Sequence, residues 1–192
     1  MKSQKKILLM AVLIPLFFFC FCQTVFAECK ECVEVAKGKI PAQFIDKSVK
    51  ALPSGIIIWD IDEAIKTLKK KTNTILWVDT RPKSFFDMGS VKNAELLVCD
   101  MKGIPIDEDA LGPAISKKRL ETAIKKIHPD MAAVTLVFFC QGPKCHRSYD
   151  AAIRAVLEYG YPADKVVWFR AGYPLLETHI MGNPKLKKRI SK

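Results

Sequence analysis

Residues 132–139 are apolar at every position but Thr135, and that one run leaves the chain few ways to fold. A strand without alternation has no face to give to water, so it must be covered on both sides. Shorter apolar runs at 56–59, 74–78, 94–99 and 165–169 repeat the demand. Between them lie segments with helical spacing. Asp62 is a plausible N-cap for a helix over 63–71, and 84–88 would be a turn or two of helix after Pro82. Leu120, Ala123, Ile124 and Ile127 mark a helix over 116–127, and Ala152, Ile153 and Val156 another over 149–159. Gly172-Tyr173-Pro174 turns into a last short helix, and the Gly- and Pro-rich stretch 100–113 reads as loop. Strands alternating with helices predict an α/β fold, a mainly parallel central sheet with helices on both faces.

The first 27 residues read as an address. Lys2, Lys5 and Lys6 precede an apolar run over 7–22, and Val25-Phe26-Ala27 supplies small side chains where a signal peptidase reads. The run reaches only ~24 Å as a helix, short of the ~30 Å hydrocarbon core. Export to the periplasm is therefore expected, with cleavage after Ala27 and membrane contact only through this segment if it stays uncleaved. Residues 28–52 read as a leader, 53–183 as one folded domain and 184–192 as a basic, solvated tail. The whole chain carries 31 Lys and Arg against 20 Asp and Glu; losing the three signal lysines leaves 28 against 20. No aromatic side chains interleave the basic tail, so nucleic acid is not an expected partner.

Cys29, Cys32, Cys99, Cys140 and Cys145 remain after cleavage, an odd number in a compartment where disulfides persist. Within a monomer at least one sulfur is then outside any protein disulfide. Cys140 stands where the apolar run 132–139 ends, and Gln141, Gly142, Lys144, Cys145, His146, Arg147 and Ser148 follow before the next helix. Ligands bind at this edge of open α/β sheets. Loop amides, a helix N-terminus and the cations Lys144, His146 and Arg147 would favour a Cys140 thiolate, the nucleophilic form. The plain alternative is a buried strand-end cysteine.

Three segments, in order, resemble rhodanese-like domains. Ile75-Leu-Trp-Val-Asp79-Thr-Arg81, with Phe85, Phe86 and Gly89-Ser-Val91-Lys-Asn-Ala94, is similar to the family's first signature. The loop from Cys140 resembles its active-site loop, and Val166-Val-Trp-Phe-Arg-Ala-Gly172-Tyr173 its closing strand and turn. The resemblance covers about 53–182. It implies a rhodanese fold in which Cys140 accepts a sulfane sulfur as a persulfide, with Asp79 and Arg81 structural. The implied partners are a small donor, thiosulfate or a persulfide, a thiol acceptor, and an exported redox protein; no cofactor or metal is implied.

The chain departs from that pattern. Ser148 follows Cys140 by eight positions where the family places a hydroxyl at six, and His146 stands where related phosphatases and arsenate reductases carry Arg. Pro143 removes one amide donor from the loop, and Ser90 replaces the usual His. Cys145, within the same loop, could resolve a persulfide or sulfenic acid by closing a disulfide on Cys140. Three activities follow: sulfur transfer or sulfur carriage through Cys140, thiol–disulfide exchange cycling Cys140–Cys145, or a non-catalytic binding module of an exported redox complex.

The remaining signals are weaker. Cys29-Lys-Glu-Cys32 has no strand before it, which favours a local disulfide or a tether over a redox motif. Val33 excludes covalent haem attachment. A four-thiolate zinc site with Cys140 and Cys145 has tolerable spacing but brings together a terminus and an active-site loop. Cys99 reads as core, His128 as a helix-end partner and His179 as a surface residue.

Overall fold

The computed structural model describes residues 39–70 and 72–191. The signal segment and the Cys29–Cys32 pair lie outside them. Among the described residues no helix is long and apolar enough to cross a membrane.

Five strands form one parallel sheet: β1 (Ile57–Trp59), β2 (Ile75–Asp79), β4 (Glu95–Leu96), β5 (Thr135–Phe139) and β6 (Val166–Phe169), in the order β1-β6-β5-β2-β4. The central strand is β5, the run with no wet face, paired with β2 through Ile75↔Thr135 to Asp79↔Phe139. Alternate residues feed two cores. Leu76, Val78, Leu136, Phe138, Val166 and Trp168 face α5 (Lys117–Ile127) and α6 (His146–Leu157). Trp77, Val137, Phe139, Val167 and Phe169 face α2 (Ile61–Lys69) and α7 (Tyr173–Met181). Period-two alternation in a strand that is apolar throughout therefore requires helices on both faces, the layering implied by the rhodanese resemblance.

Several boundaries move from where the sequence puts them. The cap of α2 is Asp60, not Asp62: its amide donates to Glu63 Oε2 at 3.1 Å, and acidic side chains fill the first turn. Helix α3 spans Lys83–Met88 behind Pro82. The run 94–99 pairs with β2 only at Glu95 and Leu96, after which Val98 bridges Ala114 and the chain leaves the sheet. The stretch 100–113 is not all loop, because Asp107 caps the short α4 (Glu108–Leu111) through the amides of Asp109 and Ala110.

The two ends of the described chain are built in. Helix α1 (Ala42–Ile45) buries Phe44, and Leu52 joins the same core. Arg170, 1% exposed, holds this segment by donating to the Phe44 carbonyl at 2.8 Å and to the carbonyls of Asp46 and Val49, while it pairs with Asp60 at 2.6 Å. The polar composition of 28–50 hides that function, since the bonds run through backbone carbonyls. At the other end Leu186 is buried in the second core, and β7 (Ile190–Ser191) pairs antiparallel with β3 (Ser90–Val91). Lys185, Lys187 and Lys188 are solvated as expected, yet the segment carrying them is docked.

Candidate active site

The candidate site is built where β2 and β5 end side by side. Asp79, Thr80 and Arg81 leave β2 fully buried. Thr80 anchors the neighbouring strand, its amide and hydroxyl both donating to the Phe139 carbonyl, at 3.0 and 2.8 Å. Arg81 grips Asp79 through Nε at 2.9 Å and Nη2 at 2.6 Å, and Nη2 also donates to the Gly89 carbonyl at 2.7 Å. Ser90, standing where the family signature has His, donates to Asp79 Oδ2 at 2.7 Å. The Arg81 guanidinium lies 4.3 Å from the centre of the Tyr173 ring, which stacks on Phe139. Both oxygens of the Asp79 carboxylate accept from Arg81 or Ser90, so this group ties the end of β2 to the residues that follow α3.

Cys140 follows directly on β5 and is bonded to Cys145 across a Cα–Cα distance of 6.2 Å. The Cys145 amide donates to the Gly142 carbonyl at 2.9 Å, which tightens the loop into a turn and lets α6 start at His146, three residues earlier than its apolar spacing suggests. Cys145 is thus the N-cap of a twelve-residue helix. On the opposite side the Tyr173 amide donates to the Cys140 carbonyl at 2.8 Å. Gly172, at φ +77°, presses on the loop so closely that a Cβ there would come within 2.5 Å of the Gly142 nitrogen. Cys140 is 1% exposed, while Cys145 is partly open and Pro143 and Lys144 are exposed at the tip.

Two of the loop's basic side chains are held by Asp100. His146 Nε2 meets Asp100 Oδ1 at 3.1 Å, and Arg147 Nη2 meets Asp100 Oδ2 at 3.0 Å. Arg154 donates to the Asp100 carbonyl at 2.6 Å and pairs with Asp150 at 2.7 Å. Burial opposes ionisation of Asp100, but the Met101 amide, His146 and Arg147 outweigh it and hold the carboxyl below its usual range. Asp150 is pushed upward by burial against the pull of Arg154. The Cys99 thiol, 3.4 Å from Asp150, is pushed well up by burial and by that carboxylate, so it is a buried core thiol. Ser148 is buried and accepts from Trp168 Nε1 at 3.2 Å, so its hydroxyl fixes α6 to β6.

Gln141 borders a cavity of about 380 Å³ that Arg81, Phe85, Met88, Tyr173 and Glu177 also line. Burial pushes the Tyr173 hydroxyl up to about 12. His128 bonds the backbone around Asp130, and His179 the carbonyl of Leu175. Asp100 is the residue that sequence reading misses. It lies in a stretch whose glycines and prolines read as loop, and no spacing links it to residues 46 positions away. Among the described residues no three His, Cys, Asp or Glu side chains are grouped to hold a metal ion.

No protein-family model matches the chain, and no curated protein matches it in sequence. Among solved structures it is similar to an As-Sb reductase from Leishmania major, at 18% identity and a TM-score of 0.48 over 66% of this chain and 80% of that one. A protein from Bacillus halodurans matches at 20% identity and 0.44, over 63% and 71% of the two chains. An uncharacterized protein from Saccharomyces cerevisiae matches at 18% and 0.39, over 65% and 92%.

Proposed function

We propose that the protein is an exported thiol–disulfide exchange protein whose redox unit is Cys140–Cys145. The observation that carries this reading is the bond itself: two cysteines five residues apart, one at the carboxyl end of the central strand and one capping the next helix. A helix N-terminus stabilises the thiolate that reduction releases. Two electrons and two protons enter from a pair of external thiols, which leave as their disulfide. An oxidising compartment beyond the signal segment suits the bonded state, and an exported thiol protein suits the role of partner.

Sulfur transfer through a Cys140 persulfide is the second reading. The family-like Asp79–Arg81 clamp behind the loop favours it. Two features weigh against it as the first choice. Cys140 is covered and bonded, and His146 and Arg147 are held by Asp100 where an anionic donor would need them.

The test is a mass measurement on the purified mature protein, digested with trypsin under non-reducing conditions after exposure to thiosulfate. Trypsin cuts after Lys144 and so separates the two cysteines into residues 127–144 and 145–147. Exchange chemistry is expected to give these peptides joined and two hydrogens light, unchanged by thiosulfate, and separable in a glutathione redox buffer. A gain of one sulfur atom on 127–144, lost in Cys140→Ser, would replace this reading with the second.

A further inference from the structure

The two bonded sulfurs are not equally placed. Cys140 is 1% exposed, with its carbonyl held by the Tyr173 amide and its loop wedged against Gly172. Cys145 is partly open and sits beside the exposed Pro143 and Lys144. Thiol–disulfide exchange requires the incoming thiolate to approach one sulfur from behind, along the S–S axis, with the other sulfur leaving. Cys140 is buried at the carboxyl end of β5, whereas Cys145 is only partly covered.

We infer that Cys145, not Cys140, is the sulfur that meets the partner. This rests on the exchange reading above and assigns its two roles. An external thiolate attacks Cys145 Sγ, forms a mixed disulfide there, and expels Cys140 as a thiolate. A second external thiolate then attacks the partner's sulfur in that mixed disulfide. It releases Cys145 as a thiolate and leaves the two external thiols joined. In the reverse direction the Cys145 thiolate, at the N-terminus of α6, attacks a partner disulfide, and Cys140 displaces the partner from Cys145 to close the loop. Lys144, the exposed residue that precedes Cys145 in the chain, has no carboxylate partner among the described residues, so its charge favours approach of anionic thiols to this end of the loop. The family resemblance assigns first contact to Cys140; the burial of the two sulfurs reverses that order.

The experiment uses the wild-type mature protein in its disulfide form. It is treated briefly with glutathione, quenched with acid, its free thiols are blocked with N-ethylmaleimide, and it is then digested with trypsin under non-reducing conditions. Glutathione is expected on 145–147 rather than 127–144. Reduced Cys140→Ser and Cys145→Ser are then reacted with an aromatic disulfide, reading the label on the same two peptides. Cys145 in the first variant should react about tenfold or more faster than Cys140 in the second. Glutathione on 127–144, or equal or faster labelling of Cys140, would overturn the assignment while leaving exchange intact. A wild-type loop that never forms the disulfide, or never yields to thiols, would overturn both.

Discussion

The chain holds two clusters of buried charge within reach of the same loop, and they are built in opposite ways. The Asp79–Arg81–Ser90 cluster comes from a single short segment and is closed to water, with side-chain exposures of 0 and 3% for its ion pair. The Asp100 cluster draws on residues 100, 146, 147 and 154, and its members remain 15 to 27% exposed where they meet the loop. The first has no unused charge, so it is scaffold. The second holds the side chains of His146 and Arg147 on Asp100, where solvent and ligands could otherwise claim them.

That contrast is breakable by substitution. The largest effect is expected from Arg81→Met, which strands a fully buried carboxylate and should cost about 3–5 kcal/mol in urea unfolding. Exchange rate per folded molecule should stay unchanged; a rate loss without a stability loss would place Arg81 in the chemistry instead. Asp100→Asn is expected to cost less, roughly 1–3 kcal/mol, because its site is partly wet. It should also accelerate exchange with anionic thiols roughly fivefold, the factor that about 1 kcal/mol of near-surface electrostatics gives, and salt should suppress that gain.

The same variant has a pH signature. A carboxyl held below its usual range in the folded state contributes stability above its unfolded pKa, near 3.8, and loses it as pH falls through the lower folded value. Wild-type should therefore lose more stability than Asp100→Asn on acidification below about pH 4, measured by urea midpoints. Parallel acid limbs would show that Asp100 is not held as described. The smallest effect belongs to Lys102→Ala, which opens an exposed pair with Glu158 and should change stability by no more than ~0.5 kcal/mol.

How much of this was legible in the sequence follows the same division. The β5 run announces itself because its composition admits one environment, and the Asp79–Arg81 pair is legible only through the family resemblance, although its partners prove to be local. The Gly172-Tyr173 turn is visible as a motif, though its jam against Gly142 is not. Asp100 is invisible because its partners are 46 and 47 positions away and its neighbours carry turn residues. Periodicity places the start of α6 three residues late because it reports the buried face, which begins at Ser148, and not the cap at Cys145. The docking of both ends was hidden by charge: lysines that point to water say nothing about the Leu186 or Phe44 beside them.

Those two ends divide the labour of closing the molecule. Phe44 and Leu52 seal the core on the α5–α6 face, and Leu186 with the β3–β7 pair seals the one on the α2–α7 face. Each end of the described chain covers one layer only, so fraying of residues 42–52 would wet the face that carries α6 and its disulfide, and fraying of residues 186–191 the face that carries Tyr173.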